Sequence, residues 1–216
     1  GRCTDNCPAN ISGKTLSPMH IVEDLKDYLL EEGSNTFKGK KAENPLIGFK
    51  RITEEALWDC VSCGACMEEC PVAVEHVPTI MDMRRHLVLE ESKLPETAMN
   101  TLLSMEQRGH PWRGTQFSRM DWTEGLDIRT IAEYPDAEIL FWVGCTSALE
   151  KRSQAIARSM AKVLKSAGVD FVVLGDEERC TGDPARRMGN EYLYQTMATQ
   201  NINTLNKYNH FNYKYH

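Results

Sequence analysis

Four cysteines crowd into eleven residues at Cys60-x2-Cys63-x2-Cys66-x3-Cys70, and Pro71 follows the last of them. Bridging such close neighbours to one another gives poor disulfide geometry, so the run reads as reduced, metal-binding thiolates in a cytosolic setting. A secreted disulfide scaffold is short and spaces its cysteines across loops. This chain has 216 residues and eight cysteines, six of them in two tight groups followed by proline. Its length leaves room for one or two domains with a real core. No unbroken apolar stretch exceeds Ile139 to Val143, too short for a membrane span. A net charge of −6 does not suit a general nucleic-acid binder, which needs a basic stripe.

The spacing matches the bacterial ferredoxin run, in which three close thiolates wrap three irons of one [4Fe-4S] cube while the fourth, beside the proline, serves the other cluster. Gly64 frees the loop to fold round the sulfurs, and Pro71 fixes the chain where it leaves. The competing reading is a zinc site, although zinc favours two separated pairs over three cysteines in seven residues. At the other end, Gly1-Arg2-Cys3-x3-Cys7-Pro8 repeats Gly64-Ala65-Cys66-x3-Cys70-Pro71 at Gly, Cys, Cys and Pro. If the same run applies, two earlier cysteines lie just before Gly1. The chain, which opens without Met or a signal-peptide pattern, is then expected to be a piece of a longer protein with two cubane clusters. The crossed rule assigns Cys7, Cys60, Cys63 and Cys66 to one cluster, and Cys3 and Cys70 to a second whose other two ligands are missing.

Around these motifs the pattern is first helical. Ser17-Pro18 starts a helix over 19–32 that Gly33 is expected to end, and residues 33–50 read as a loop or linker. Thr53 precedes a short helix over 54–59 that delivers Cys60. Pro78 opens a helix to about Glu91 with Ile80, Met83 and Leu87 as its buried stripe, and Pro95 opens another to about Arg108. From Asp136 the period changes. Ala137 to Val143 reads as a buried parallel strand. Leu149 to Ala167 reads as a long amphipathic helix with Ile156, Met160, Val163 and Leu164 as its apolar stripe, closed by Gly168, and Val169 to Leu174 as a second strand. Asp183-Pro184 starts a further helix to about Leu205. The expected class is α plus α/β: an all-helical ferredoxin-like module over residues 1–130, then the first half of a parallel α/β cysteine-rich domain over residues 136–216, whose tail 209–216 lacks a following apolar strand.

Cys145 and Cys180 are open to two readings. A single cysteine at a strand end is commonly a small buried hydrophobe. Yet Cys145 follows the C-terminal end of the first strand and Cys180 lies in the loop after the second, at the edge where parallel sheets carry ligands. The Gly182-Asp183-Pro184 helix start beside Cys180 favours a thiolate or another anion, and Arg186 and Arg187 add positive charge or bridge to Glu177 or Glu178 at the surface. Trp112 and Trp122 are expected to pack the end of the helical module against the α/β domain. The six histidines show no paired spacing and read as surface or core residues, the methionines as core filler. With no Gly-x-Gly-x-x-Gly, flavin or NAD would belong to a partner.

Together the twin cysteine runs, Gly144-Cys145 and Cys180-Thr181-Gly182-Asp183-Pro184-Ala185-Arg186-Arg187 resemble the iron-sulfur oxidoreductase family of heterodisulfide reductase, glycolate oxidase and anaerobic glycerol-3-phosphate dehydrogenase iron-sulfur subunits. The likeness is nearest to bacterial membrane-linked reductases that pass electrons between electron-transfer flavoprotein and quinone. The resemblance implies 4Fe-4S clusters, a flavoprotein donor or acceptor, a quinone or disulfide acceptor, and a membrane-anchoring region before Gly1. The place would be the cytoplasm or the cytoplasmic face of the plasma membrane. It carries Cys145 and Cys180 over as ligand candidates for a further cluster. It does not carry position 181, where Thr181 stands in place of the second cysteine of the family's Cys-Cys pair.

The expected function is an electron-transfer module of an oxidoreductase, inactive as this stretch alone. Two rivals stand beside it: a catalytic subunit acting on a 2-hydroxy acid or a heterodisulfide, and a zinc-stapled interaction module.

Overall fold

The computed structural model describes residues 1–40, 44–48 and 50–208. The chain divides into two compact units, unit 1 being Gly1–Lys93 with Arg187–Gly189 and unit 2 being Leu94–Arg186 with Asn190 onward. By packing, residues 94–130 fold with unit 2, so the compact division falls earlier in the chain than residue 130.

Unit 1 is built from helices α1 (Arg2–Asp5), α2 (Pro8–Ile11), α3 (Pro18–Phe37), α4 (Glu54–Asp59), α5 (Ala65–Glu68) and α6 (His76–Leu89). Ser17 caps α3 by accepting the His20 N–H, with Pro18 in the first turn. The helix does not stop at Gly33. A glycine without a left-handed backbone weakens a helix without ending it, and the turn comes at Gly39, whose φ is 68°. α4 has the expected bounds because the Thr53 hydroxyl accepts the Ala56 N–H at 3.2 Å. α6 begins two residues before Pro78 and buries Ile80, Met83 and Leu87 against Leu16, Ile21, Ile52 and Leu57. Part of the expected linker joins this core through Leu46 and Ile47, and residues 41–43 and 49 lie outside the described residues.

Unit 2 opens with α7 (Glu96–Arg108), ended by left-handed Gly109. Its sheet is β1 (Ile139–Leu140) paired in parallel with β2 (Phe171–Val172), in register Ile139↔Phe171 and Leu140↔Val172. A parallel bridge from Thr130 to Val173 flanks β2 on another side. The strands are far shorter than the apolar runs that produce them, and only β2 is fully buried. β2 has a neighbour from each of two segments, whereas Ile139 on β1 is 41% exposed.

The single helix expected over 149–167 is two, α8 (Cys145–Leu149) and α9 (Lys151–Ser166). Glu150 lies between them in extended backbone, and its carboxylate caps α9 by accepting the Arg152 and Ser153 N–H groups. The expected apolar stripe of α9 is also turned around. Ala157 and Ala161 face the core while Ile156, Met160 and Val163 are exposed, leaving Leu164 half-buried. The core beneath α9 holds Trp122, Phe141 and Phe171 in edge-to-face pairs 6.2 and 6.1 Å apart, and rings of that bulk leave space for alanines. Trp122 is thus a core residue of unit 2, and Trp112 is exposed.

The last expected helix is likewise broken, into α10 (Asp183–Arg187) and α11 (Glu191–Lys207). Gly189 takes φ 83° between them, and Asn190 caps α11 by accepting the Leu193 N–H at 3.0 Å. The tail 209–216, with His210 and His216, lies outside the described residues. Among the described residues no helix is long and apolar enough to cross a membrane.

Candidate functional site

Cys7, Cys60, Cys63 and Cys66 line one cavity of about 320 Å³, mouth included, whose other walls are apolar residues such as Leu16, Val77 and Ile80. Each sulfur arrives by a local device. Cys7 caps α2 ahead of Pro8, Cys60 ends α4, and Cys66 sits inside α5. Between Cys60 and Cys66 the chain winds tightly, with Ser62 at φ 57° and Gly64 at φ 80°. A serine in the left-handed region is strained, and it brings its own N–H to 3.4 Å from the Cys60 sulfur. Cys7 and Cys66 are buried, while Cys63 is exposed at the mouth.

Four acidic thiols in one apolar cavity disfavour ionisation. Burial pushes the Cys66 thiol up to about 11, and the neighbouring Cys60, Cys7 and Cys63 push it the same way. Such a set is stable as thiolates when a cationic inorganic core sits among them. Among the described residues no group of three or more His, Cys, Asp or Glu side chains could hold a metal ion. The sulfurs stand round a void, the arrangement that a cluster with several irons requires.

The two copies of the Gly-x-Cys-x3-Cys-Pro motif fold alike. Gly1 and Gly64 each precede a four-residue helix carrying Cys3 or Cys66, and those helices, α1 and α5, pack together. After the prolines they part, Pro8 beginning α2 while the chain after Pro71 turns through Ala73 at φ 55°. That turn aims backbone at Cys70. The Val74 N–H reaches its sulfur at 3.3 Å, and the N–H groups of Val74, Val72 and Ala73 together hold the thiol below its ordinary value. Neither Cys3, on α1, nor Cys70, in the turn after α5, lines the four-thiol cavity.

Arg84 of α6 was not anticipated. It is buried, stacks over the Trp58 ring at 5.1 Å, and donates from Nε to the Leu57 carbonyl at 2.9 Å and from Nη2 to the Cys60 carbonyl at 2.6 Å. It therefore fixes the chain where α4 enters the cysteine loop. An arginine on an apolar helix gives no sequence signal of this role.

Unit 2 holds a second sulfur pair. Cys145 begins α8 after Gly144, Cys180 is buried in the loop before α10, and the two thiols are near enough to shift each other's ionisation. Cys180 is the anionic partner, brought down to about 6 by the Cys145 S–H, the Gly182 N–H and the Arg119 charge, against burial and Asp183. The Cys145 thiol is raised by its neighbour Cys180 and by burial. Backbone bonds hold the loop, with the Cys180 N–H on the Gly109 carbonyl at 2.9 Å and Asn201 Nδ2 on the Cys180 carbonyl at 2.9 Å.

Glu178, weighed in the sequence only as a surface partner of Arg186 or Arg187, is buried and accepts Arg119 Nη1 at 2.9 Å. It also takes the Val143 and Gly144 N–H groups at 2.9 and 2.8 Å. Burial pushes its carboxyl up while these donors pull it back. Glu177 bonds instead to Lys207 and Tyr208, and Arg186 lies over the Tyr194 ring. His110, beside Arg119, is kept neutral by burial and by the charges of Arg119, Arg108 and Arg179. His76 is also buried, which lowers its pKa, and its Nδ1 has no partner.

Comparison with known proteins agrees with this division. Residues 1–74 match the family model described as a 4Fe-4S dicluster domain, and residues 139–211 match that described as a cysteine-rich domain. The chain is 37% identical to a "probable iron-sulfur-binding oxidoreductase FadF" of Bacillus subtilis, over 96% of this chain and 35% of the relative. It is 34% identical to an "EtfAB:quinone oxidoreductase" of Syntrophomonas wolfei, over 96% and 33%. To a "probable membrane-anchored ferredoxin" of Chromohalobacter salexigens it is 36% identical, over 96% and 33%. The chain thus spans about a third of the length of the curated relatives it matches. No solved structure matches it.

Proposed function

Because the chain belongs to the iron-sulfur oxidoreductases that join a 4Fe-4S dicluster domain to a cysteine-rich domain, we propose that it is the electron-relay portion of such an enzyme. Its cofactors are 4Fe-4S clusters. In this reading Cys7, Cys60, Cys63 and Cys66 hold one cluster, and Cys3 and Cys70 contribute to a second with two thiolates from outside residues 1–216. The cluster-bearing domain is assigned to residues 1–130 and the cysteine-rich domain to 136–216, with Cys145 and Cys180 as the sulfur donors of the latter.

The observation that carries the reading is the single apolar cavity that gathers thiols from residue 7 and from residues 60–66. When bound, a 4Fe-4S group supplies one-electron oxidation and reduction. The chain's own part is to donate sulfur, to keep water from the buried Cys7 and Cys66, and to direct backbone N–H groups at Cys60 and Cys70, which sets the potential. The names of the relatives point to a flavoprotein on one side and a quinone on the other. A cytoplasmic site, or the cytoplasmic face of a membrane, is the proposed location. Anaerobic reconstitution tests the relay: about four irons per chain, on the four-thiolate rule, with acid-labile sulfide and a brown colour. A colourless protein binding one zinc would overturn it in favour of the zinc-stapled module.

A second reading, catalysis on a 2-hydroxy acid or disulfide by the cysteine-rich domain, draws support from the mutual influence of the Cys145 and Cys180 thiols. It predicts substrate-dependent change at those two sulfurs.

A further inference from the structure

Nine-tenths of the Arg119 side chain is out of solvent, yet its guanidinium is only partly used. Nη1 donates to Glu178, while Nη2 is buried and has no partner. A buried cationic donor left unpaired is costly, so its position marks where negative charge belongs. The small cavity beside it is lined by Met120, Trp122, Val143, Ala148, Val173 and Gly175, with Glu178 the one other charged side chain. The charge of Arg119 falls on the sulfurs of Cys145 and Cys180. The other half of the ion pair reaches the same place through the backbone. Glu178 stands two residues before Cys180, and its carboxylate holds the N–H groups of Val143 and Gly144, directly before Cys145.

We propose that Glu178 and Arg119 are positioning residues of the unit 2 sulfur site, Glu178 clamping the Cys145 turn to the Cys180 loop and Arg119 serving as fixed counter-charge for the anionic sulfur group that the two cysteines hold. This role rests on the reading of Cys145 and Cys180 as a functional sulfur pair. It adds the machinery that would bring the pair together, which a simple core staple would not need: a staple has no use for a second guanidinium arm buried without a partner.

Dibromobimane, a short reagent that fluoresces once both arms have alkylated thiols, tests it on the reduced chain, with bridged peptides identified by mass spectrometry. The wild-type chain is expected to give a Cys145–Cys180 bridge. Its absence there would overturn the sulfur-pair reading and this role with it. Given that bridge, Arg119→Gln and Glu178→Gln are each expected to slow its formation about tenfold, the size of one lost charge-assisted hydrogen bond. Arg119→Lys, which keeps the charge, is expected to recover most of the rate. Near-UV circular dichroism and the alkylation of exposed Cys63 serve as controls for the fold. Wild-type rates in both Gln variants would overturn the positioning role and leave the pair standing. Equal slowing by Arg119→Gln and Arg119→Lys would overturn the counter-charge, and that comparison decides the matter even where Glu178→Gln does not fold.

Discussion

In unit 1 four thiols stand round an apolar void, and the nearby buried arginine, Arg84, spends its donors on backbone carbonyls. In unit 2 two thiols shift each other's ionisation, the charge of Arg119 acts on both, and one arm of that guanidinium is buried without a partner. The first arrangement sets four sulfurs against one nearby cation whose donors are already taken, so its stability as thiolates depends on an inorganic core. The second carries its own cation and is set up before anything binds. Two sites made from the same side chain can therefore differ in where the compensating charge comes from.

The strongest way to break this contrast is to remove one sulfur from each site. Cys66→Ser is expected to bring iron after anaerobic reconstitution close to background, whereas Cys145→Ser leaves the unit 1 iron unchanged, as read by iron and sulfide analysis. Large core truncations come next. Leu57→Ala in unit 1 is expected to cost about 2–5 kcal/mol and Trp122→Ala in unit 2 about 3–5 kcal/mol in urea unfolding. Only Trp122→Ala should also slow bimane bridging of Cys145 to Cys180, because Trp122 packs beside that site.

Arg84→Met leaves the Leu57 and Cys60 carbonyls without their donor and is expected to cost about 1–3 kcal/mol, with bridging in unit 2 unaffected. Cap removals are smaller and should be equal in the two units. Thr53→Ala and Asn190→Ala are each expected to cost about 1 kcal/mol. The smallest effect is one of pH. The Arg152 N–H and Ser153, through its N–H and hydroxyl, hold the half-buried Glu150 carboxyl below its ordinary value, so its contribution is present above that value and fades as the pH falls through the lowered one. Glu150→Gln should flatten the acid limb of the thermal stability profile, and an unchanged limb would remove Glu150 as the cap of α9.

Local chemistry was the legible part. Thr53 marked α4 to the residue because a cap is a contact between neighbours in sequence. The stripe Ile80, Met83, Leu87 was readable because α6 has one buried face. The repeat of Gly, Cys, Cys and Pro pointed to Cys7 beside the 60–66 loop, since a short repeated motif carries its local geometry in its spacing. What escaped was set by distant partners. Ile156, Met160 and Val163 formed the obvious stripe of α9, but the aromatic core below accepts Ala157 and Ala161. Strand length depended on which segments found neighbours, and two apolar runs became strands of two residues. Arg119 and Glu178 meet across 59 residues. Only the position of Glu178, two before Cys180, offered a hint.

Cys63 stands at the open corner of the unit 1 cavity, flanked by the exposed Val61. On the proposed relay reading, a corner through which an electron would pass to a docked protein is equally open to dioxygen. Exposure to air should therefore bleach this site from the Cys63 edge inward. A docked protein covering that edge would slow the bleaching, so the lifetime of the colour in air becomes a measure of who is bound.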